Sequence, residues 1–148
     1  MVSIPVLEKF LGRHRRIGLD SNLLIYFIEA HPSYGALAQK IFESIETGQT
    51  IAVCSTLSLL EVLVQPYRTK NDPIVNRFYG LLTTYPHIHW VDLSIEVADL
   101  GARLRAEYEL KTPDAVLLAT ALHSHATGFI GNDSKLKRVK EMEVLVLS

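Results

Sequence analysis

Short apolar runs alternate with longer stretches of helical periodicity along nearly the whole chain. Ile17-Gly18-Leu19, Ile51-Ala52-Val53-Cys54, Ile88-His89-Trp90-Val91, Thr127-Gly128-Phe129-Ile130-Gly131 and Val144-Leu145-Val146-Leu147 are too short for helices. They are mostly apolar at consecutive positions, the habit of parallel strands buried on both faces. Between them lie helical patterns with their own start and stop chemistry. Ser3 caps a helix from Ile4 that carries Val6, Leu7, Phe10 and Leu11 on one side. A second pattern runs from Leu23 to Ala30 and is broken by His31-Pro32, and a third from Ser33 to Thr47 stops at Gly48. Ser55 caps a helix from Thr56 to Val64 that Gln65-Pro66 closes, and Asp72-Pro73 opens one reaching about Thr84. Ser94 starts a long helix to about Tyr108 with Val97, Leu100, Ala102 and Leu104 inward. Thr112 then caps a helix with Pro113 at its first position, apolar or small nearly all round from Ala115 to Leu122 and so buried on several sides. A short basic helix is expected from Ser134 to Lys140.

Strands alternating with helices predict an α/β fold, a parallel sheet covered on both faces. Right-handed crossovers line the strand C-termini along one edge, where ligands of such sheets bind. No repeat, linker or low-complexity tract divides the chain, whose 148 residues suffice for one substantial core. Residues 1–16 precede the first strand and read as an appendage to a domain spanning 17–148.

Composition narrows the picture without choosing a function. Hydrophobic residues make up 48% and charged ones 21%, a globular balance that excludes disorder. The formal net charge of -1 means that no global basic field advertises a nucleic-acid partner, so any such contact must be local. Cys54 stands alone, which excludes an internal disulfide and points to a reducing compartment. No apolar run approaches the roughly 18 residues that span a bilayer. The first residues lack the basic start of a signal peptide, so a cytoplasmic protein is expected.

The candidate chemistry is acidic. Asp20 ends the first strand, Asp133 ends the fourth, and Asp114 sits in the first turn of the apolar helix. Glu61 interrupts an otherwise apolar helical segment, so it either lies on an exposed strip with Ser58 or points into a polar site. Taken singly, Asp114 has a plainer reading as helix-starting chemistry. Taken together, the four acids fall at or near one sheet edge. Two carboxylates ~4 Å apart repel by about 4 kcal/mol at an effective dielectric near 20, so convergence demands protons or cations. Oxygen donors alone suit Mg²⁺ or Mn²⁺ better than zinc. Such an edge suits hydrolysis of a phosphodiester.

Asp20-Ser21-Asn22 after a strand, Glu61 within a helix, Pro113-Asp114-Ala115, and Asn132-Asp133 resemble, in order and approximate spacing, the PIN-domain family. The pattern is closest to the VapC-type toxin ribonucleases of prokaryotic toxin–antitoxin pairs. The resemblance implies a three-layer, Rossmann-like domain with a central, mainly parallel five-stranded sheet flanked by helices. It also implies a Mg²⁺- or Mn²⁺-dependent endoribonuclease acting on an RNA substrate, with a cognate antitoxin as partner. Asp20, Glu61, Asp114 and Asp133 become the catalytic, metal-site acids, supported by the polar residues Ser21, Asn22, Asn132 and Ser134. Gly131 departs from the family, which often carries Thr or Ser there; Ser134 is the nearest hydroxyl that could replace it. Apolar helical surface also predicts a homodimer.

Arg68, Lys70, Lys135, Lys137 and Arg138 are candidates to contact RNA phosphates, against a plainer reading as solvated faces. Arg13-His14-Arg15-Arg16 reads first as a solvated collar below the first strand. His87 and His89 share a strand face, but no third ligand is suitably spaced for zinc. Two other classes of function stay open. One is a degenerate PIN domain that binds RNA or assembles without catalysis. The other is phosphotransfer on Asp20, weakened because Asn22 stands where a haloacid-dehalogenase-like domain has its second Asp.

Overall fold

A computed structural model describes residues 1–148. The strands are Arg16–Leu19 (β1), Ile51–Ser55 (β2), Ile88–Val91 (β3), Gly128–Gly131 (β4) and Glu143–Val146 (β5). Every pairing is parallel, in the order β3-β2-β1-β4-β5. The expected five-stranded α/β sheet is present, parallel throughout rather than mainly so. The helices are Ile4–Arg13 (α1), Ser21–Ile28 (α2), Gly35–Glu46 (α3), Thr56–Arg68 (α4), Asp72–Thr84 (α5), Ile95–Tyr108 (α6) and Thr112–His123 (α7).

Alternation along each strand divides the interior into two cores. Ile17 and Leu19 of β1, Ala52 and Cys54 of β2 and Ile130 of β4 join side chains of α1 to α5 in one cluster. Phe129 of β4 joins α6, α7 and the Leu136–Met142 stretch in the other. Gly18 shows why the second layer lies so close to the sheet: a Cβ there would stand 2.5 Å from the Ala121 Cβ of α7 and 2.7 Å from the Phe129 ring. Residues 1–16, expected as an appendage, send Leu7 and Phe10 fully into the first core, and Val2 N–H donates to Leu147 O at 2.8 Å.

Several boundaries differ from expectation for physical reasons. Pro66 does not close α4. It costs one intrahelical donor but is itself buried, and the next turn is closed by Thr69 N–H on Gln65 O at 2.9 Å and Asn71 N–H on Pro66 O at 2.8 Å. Thr112 is the first residue of α7 rather than its cap, which is Lys111, a residue with no side-chain acceptor to offer. On α6 it is Gly101 that faces inward while Ala102 is exposed. The basic segment forms only a 3-10 turn, Ser134–Arg138, capped by Asp133 Oδ1, which accepts from Lys135 N–H at 2.9 Å. No helix is long and apolar enough to cross a membrane.

Candidate active site

Chain direction across the sheet changes at β1, which has β2 on one side and β4 on the other. The carboxyl ends of parallel strands splay apart at such a switch point and leave a crevice. Asp20 follows β1 immediately, and its N–H donates to Ile130 O at 3.0 Å, which fixes it beside the end of β4. Asp133 lies two residues beyond β4. Because α4 leaves β2 with no intervening loop, Glu61 sits near the same edge, and the first turn of α7 brings Asp114. These acids line one cavity of about 370 Å³ together with Ser21, Asn22, Ile25, Lys111 and Pro113. The four carboxylates picked from sequence are therefore neighbours in space.

Their electrostatics follow from that crowding. Asp20 is only 8% exposed. Burial pushes its pKa from 3.8 up to about 6, helped by the charges of Asp114 and Glu61, while the Ser21 and Asn22 amides at the start of α2 pull it back down. Asp114 is raised as well, first by desolvation and then by Asp133 and Glu61; Lys111 and Lys135 act in the opposite direction. The negative charge here exceeds what the neighbouring cations offset.

The polar residues have distinct places. Ser21 Oγ lies 2.7 Å from Glu61 Oε1 and 2.9 Å from Ser58 Oγ. The alternative of an exposed strip carrying Glu61 and Ser58 is thereby overturned, since Ser58 is 1% exposed. Asn22 is exposed at the cavity wall. Asn132 Nδ2 donates to Tyr26 Oη at 2.9 Å, tying the end of β4 to α2, while its buried Oδ1 has no partner. Ser134 is exposed and outside the cavity lining. At Gly131 a Cβ would stand 3.4 Å from Asp20 Oδ2 but only 2.5 Å from Leu136 Cδ1. The room a hydroxyl-bearing residue would need is filled by Leu136.

Of the five cations considered for phosphate contact, Lys135 is the one that acts on an acid of the cavity. Arg68 and Lys70 are exposed at the far end of α4, Arg138 donates to Tyr108 O at 3.2 Å, and Lys137 lines a separate hollow with Lys140. Lys111 was missed by sequence reasoning, although its place directly before Thr112-Pro113-Asp114 is the signal that could have found it. His87 and His89 take separate partners, Ile45 O at 2.8 Å and Arg16 at 3.3 Å.

A family model described as the PIN domain matches residues 17–142. The chain belongs to the PIN domain family. Among proteins of curated function no sequence matches significantly. Solved structures similar to this PIN domain include VapBC2 from Rickettsia felis bound to a promoter DNA fragment, at 18% identity and TM-score 0.66, covering 88% of this chain and 98% of that one. A toxin–antitoxin complex from Klebsiella pneumoniae is similar at 24% identity and TM-score 0.63, covering 86% and 98%. DNA-bound VapBC from Salmonella typhimurium follows at 15% and 0.61, covering 89% and 97%. At these identities the likeness is one of fold.

PIN domains typically use divalent metals, and the donors in this cavity are of the matching kind. They are carboxylate oxygens with excess negative charge, the chemistry that takes a hard cation. No group of three or more His, Cys, Asp or Glu side chains is arranged to hold an ion as it stands, so binding requires the acids to turn toward one another. Asp20, buried and held against both strand ends, is the least free to move; the half-buried Glu61, Asp114 and Asp133 have the latitude.

Proposed function

We propose that this PIN domain is a Mg²⁺- or Mn²⁺-dependent endoribonuclease, the toxin of a toxin–antitoxin pair. One observation carries the reading: Asp20, Glu61, Asp114 and Asp133, drawn from four distant points of the chain, line the same open cavity. A bound Mg²⁺ or Mn²⁺ polarises phosphoryl oxygens and lowers the pKa of water. The residues of the chain supply the rest. Asp20, Asp114 and Asp133 hold the cation, and Glu61 keeps Oε2 available as an acceptor because Oε1 is engaged by Ser21. Ser21 and Asn22 shape the wall, and Asn132 anchors the Asp133 loop through Tyr26. Lys111 and Lys135 flank the acids and hold an RNA phosphate without reading a base, with Arg68, Lys70, Lys137 and Arg138 as more distant contacts. An antitoxin is proposed as partner because the similar structures are described as toxin–antitoxin complexes or VapBC assemblies. The exposed Leu60, Val64 and Tyr67 of α4 and Tyr79 of α5 supply the apolar surface for a homodimer, which light scattering tests.

The deciding experiment incubates a labelled RNA pool with the protein in EDTA, Mg²⁺ or Mn²⁺, alongside Asp114→Asn and Glu61→Gln. Cleavage by the wild type that needs the metal and vanishes in both variants is the expected result. Equal cleavage by the variants sinks the assignment. The second reading, a PIN module that binds RNA without cutting it, is favoured by Gly131 and by the lack of a ready three-ligand group. RNA binding with no cleavage at any metal concentration would select it.

A further inference from the structure

Ser58 is among the most buried polar side chains in the protein, at 1% exposure, and it lies on α4 one turn before Glu61. A buried hydroxyl is costly to the fold unless it is hydrogen-bonded. Its side-chain partner is Ser21 Oγ at 2.9 Å, and the same Ser21 Oγ lies 2.7 Å from Glu61 Oε1. Ser21 is itself 6% exposed, so water does not compete freely for either hydroxyl.

One proton per hydroxyl fixes the order of this chain. A carboxylate is the stronger acceptor, and the shorter contact is the one to Glu61. The geometry favours Ser21 Oγ as donor in both contacts, but its one proton goes to Glu61 Oε1, which leaves the 2.9 Å contact to be completed by the proton of Ser58. We propose that Ser58 is a positioning residue of the cavity: its hydroxyl orients that of Ser21, which holds the Glu61 carboxylate at one rotamer. The proposal deepens the nuclease reading, on which the role of Glu61 rests. Without Ser58, the Ser21 hydroxyl loses its donor, and Glu61 is free to swing on its own side-chain torsions. Ser58 is not itself among the residues that line the cavity, so substrate binding has no direct stake in it.

The test uses the full chain with Ser58→Ala, Ser58→Thr, Glu61→Gln and the Ser58→Ala/Glu61→Gln double variant. With RNA and Mg²⁺, Ser58→Ala is expected to lower kcat about tenfold with KM within about twofold, and Ser58→Thr to recover most of the loss. By calorimetry Mn²⁺ should bind Ser58→Ala roughly tenfold more weakly. A packing role alone would lower stability and leave kcat and Mn²⁺ affinity at wild-type values; that result overturns the proposal. Should the wild type not cut RNA at all, the nuclease reading fails and the Ser58 link is judged from metal-free denaturant unfolding. Unfolding constants of the two single variants that fail to multiply to that of the double, by about fivefold or more, support the relay, and strict multiplication refutes it.

Discussion

Replacing Asp20 by Asn should make the metal-free protein more stable, against the usual direction of a change at a buried site. The folded protein holds the Asp20 pKa near 6 instead of 3.8, so the folded state binds this proton better than the unfolded chain does. The group is protonated in both states well below pH 3.8, and its charge then costs nothing. Between 3.8 and about 6 the unfolded chain releases the proton first, and stability falls as pH rises. Above that window the whole penalty is present. A shift of about two units is worth about 3 kcal/mol, at 1.36 kcal/mol per unit. Because Asp20 is 8% exposed, little of that is lost to solvent screening.

Asn keeps the shape and removes the charge. In EDTA at pH 7.5 the variant should gain about 3 kcal/mol, which for a domain of this size raises Tm by roughly 9 °C. At pH 4 the gain should shrink to about 0.5 kcal/mol, because wild-type Asp20 is then already protonated in the folded state. Urea unfolding at both pH values in EDTA measures this directly. Adding Mn²⁺ at about 100 times its Kd should stabilise the wild type by about 2.7 kcal/mol and the variant far less. An unchanged or lower stability at pH 7.5, or a gain independent of pH, would refute the picture of Asp20 as a buried charge waiting for a cation.

Other consequences lie elsewhere in the molecule. Phe10→Ala should cost about 3–5 kcal/mol by denaturant unfolding, since the ring is fully buried in the α1-to-α5 core; a loss under 1 kcal/mol would mean that α1 does dock only loosely. Lys135→Ala should raise KM for RNA with little change in kcat and flatten the salt dependence of binding by about one ion, as read by titration in increasing KCl. Glu143 carries the opposite sign to Asp20. Arg13 and His14 hold its pKa below the usual range, so its contribution is present at neutral pH and is lost as pH falls through that lowered value. The stability difference between Glu143→Gln and the wild type should therefore close in acid, which a pH series of thermal melts would follow.

How much of this was legible in the sequence depends on which interactions are local. Strands and helices were readable because burial on both faces leaves apolar runs, and because caps such as Ser3, Ser55 and Ser94 are local chemistry, each accepting an N–H of its own helix. The acids at the strand ends, Asp20 and Asp133, were readable for a related reason: parallel topology alone sends such positions to one edge. The misreadings share the opposite character. Pro66 looked like a stop because its local cost is visible, whereas the burial that repays it comes from residues distant in sequence. Ser58 fits in sequence either the margin of an exposed strip or the wall of a polar site, and only the arrival of α2, which brings Ser21 against it, decides between them. Gly131 looked like a missing hydroxyl, when the constraint is the Leu136 side chain that fills the space. Periodicity reports which face of an element is buried, but not what occupies the other side. The features that would set the activity of this cavity, a serine pair behind Glu61 and a leucine in place of a hydroxyl, are contacts between elements, and a linear pattern records those only after the elements have met.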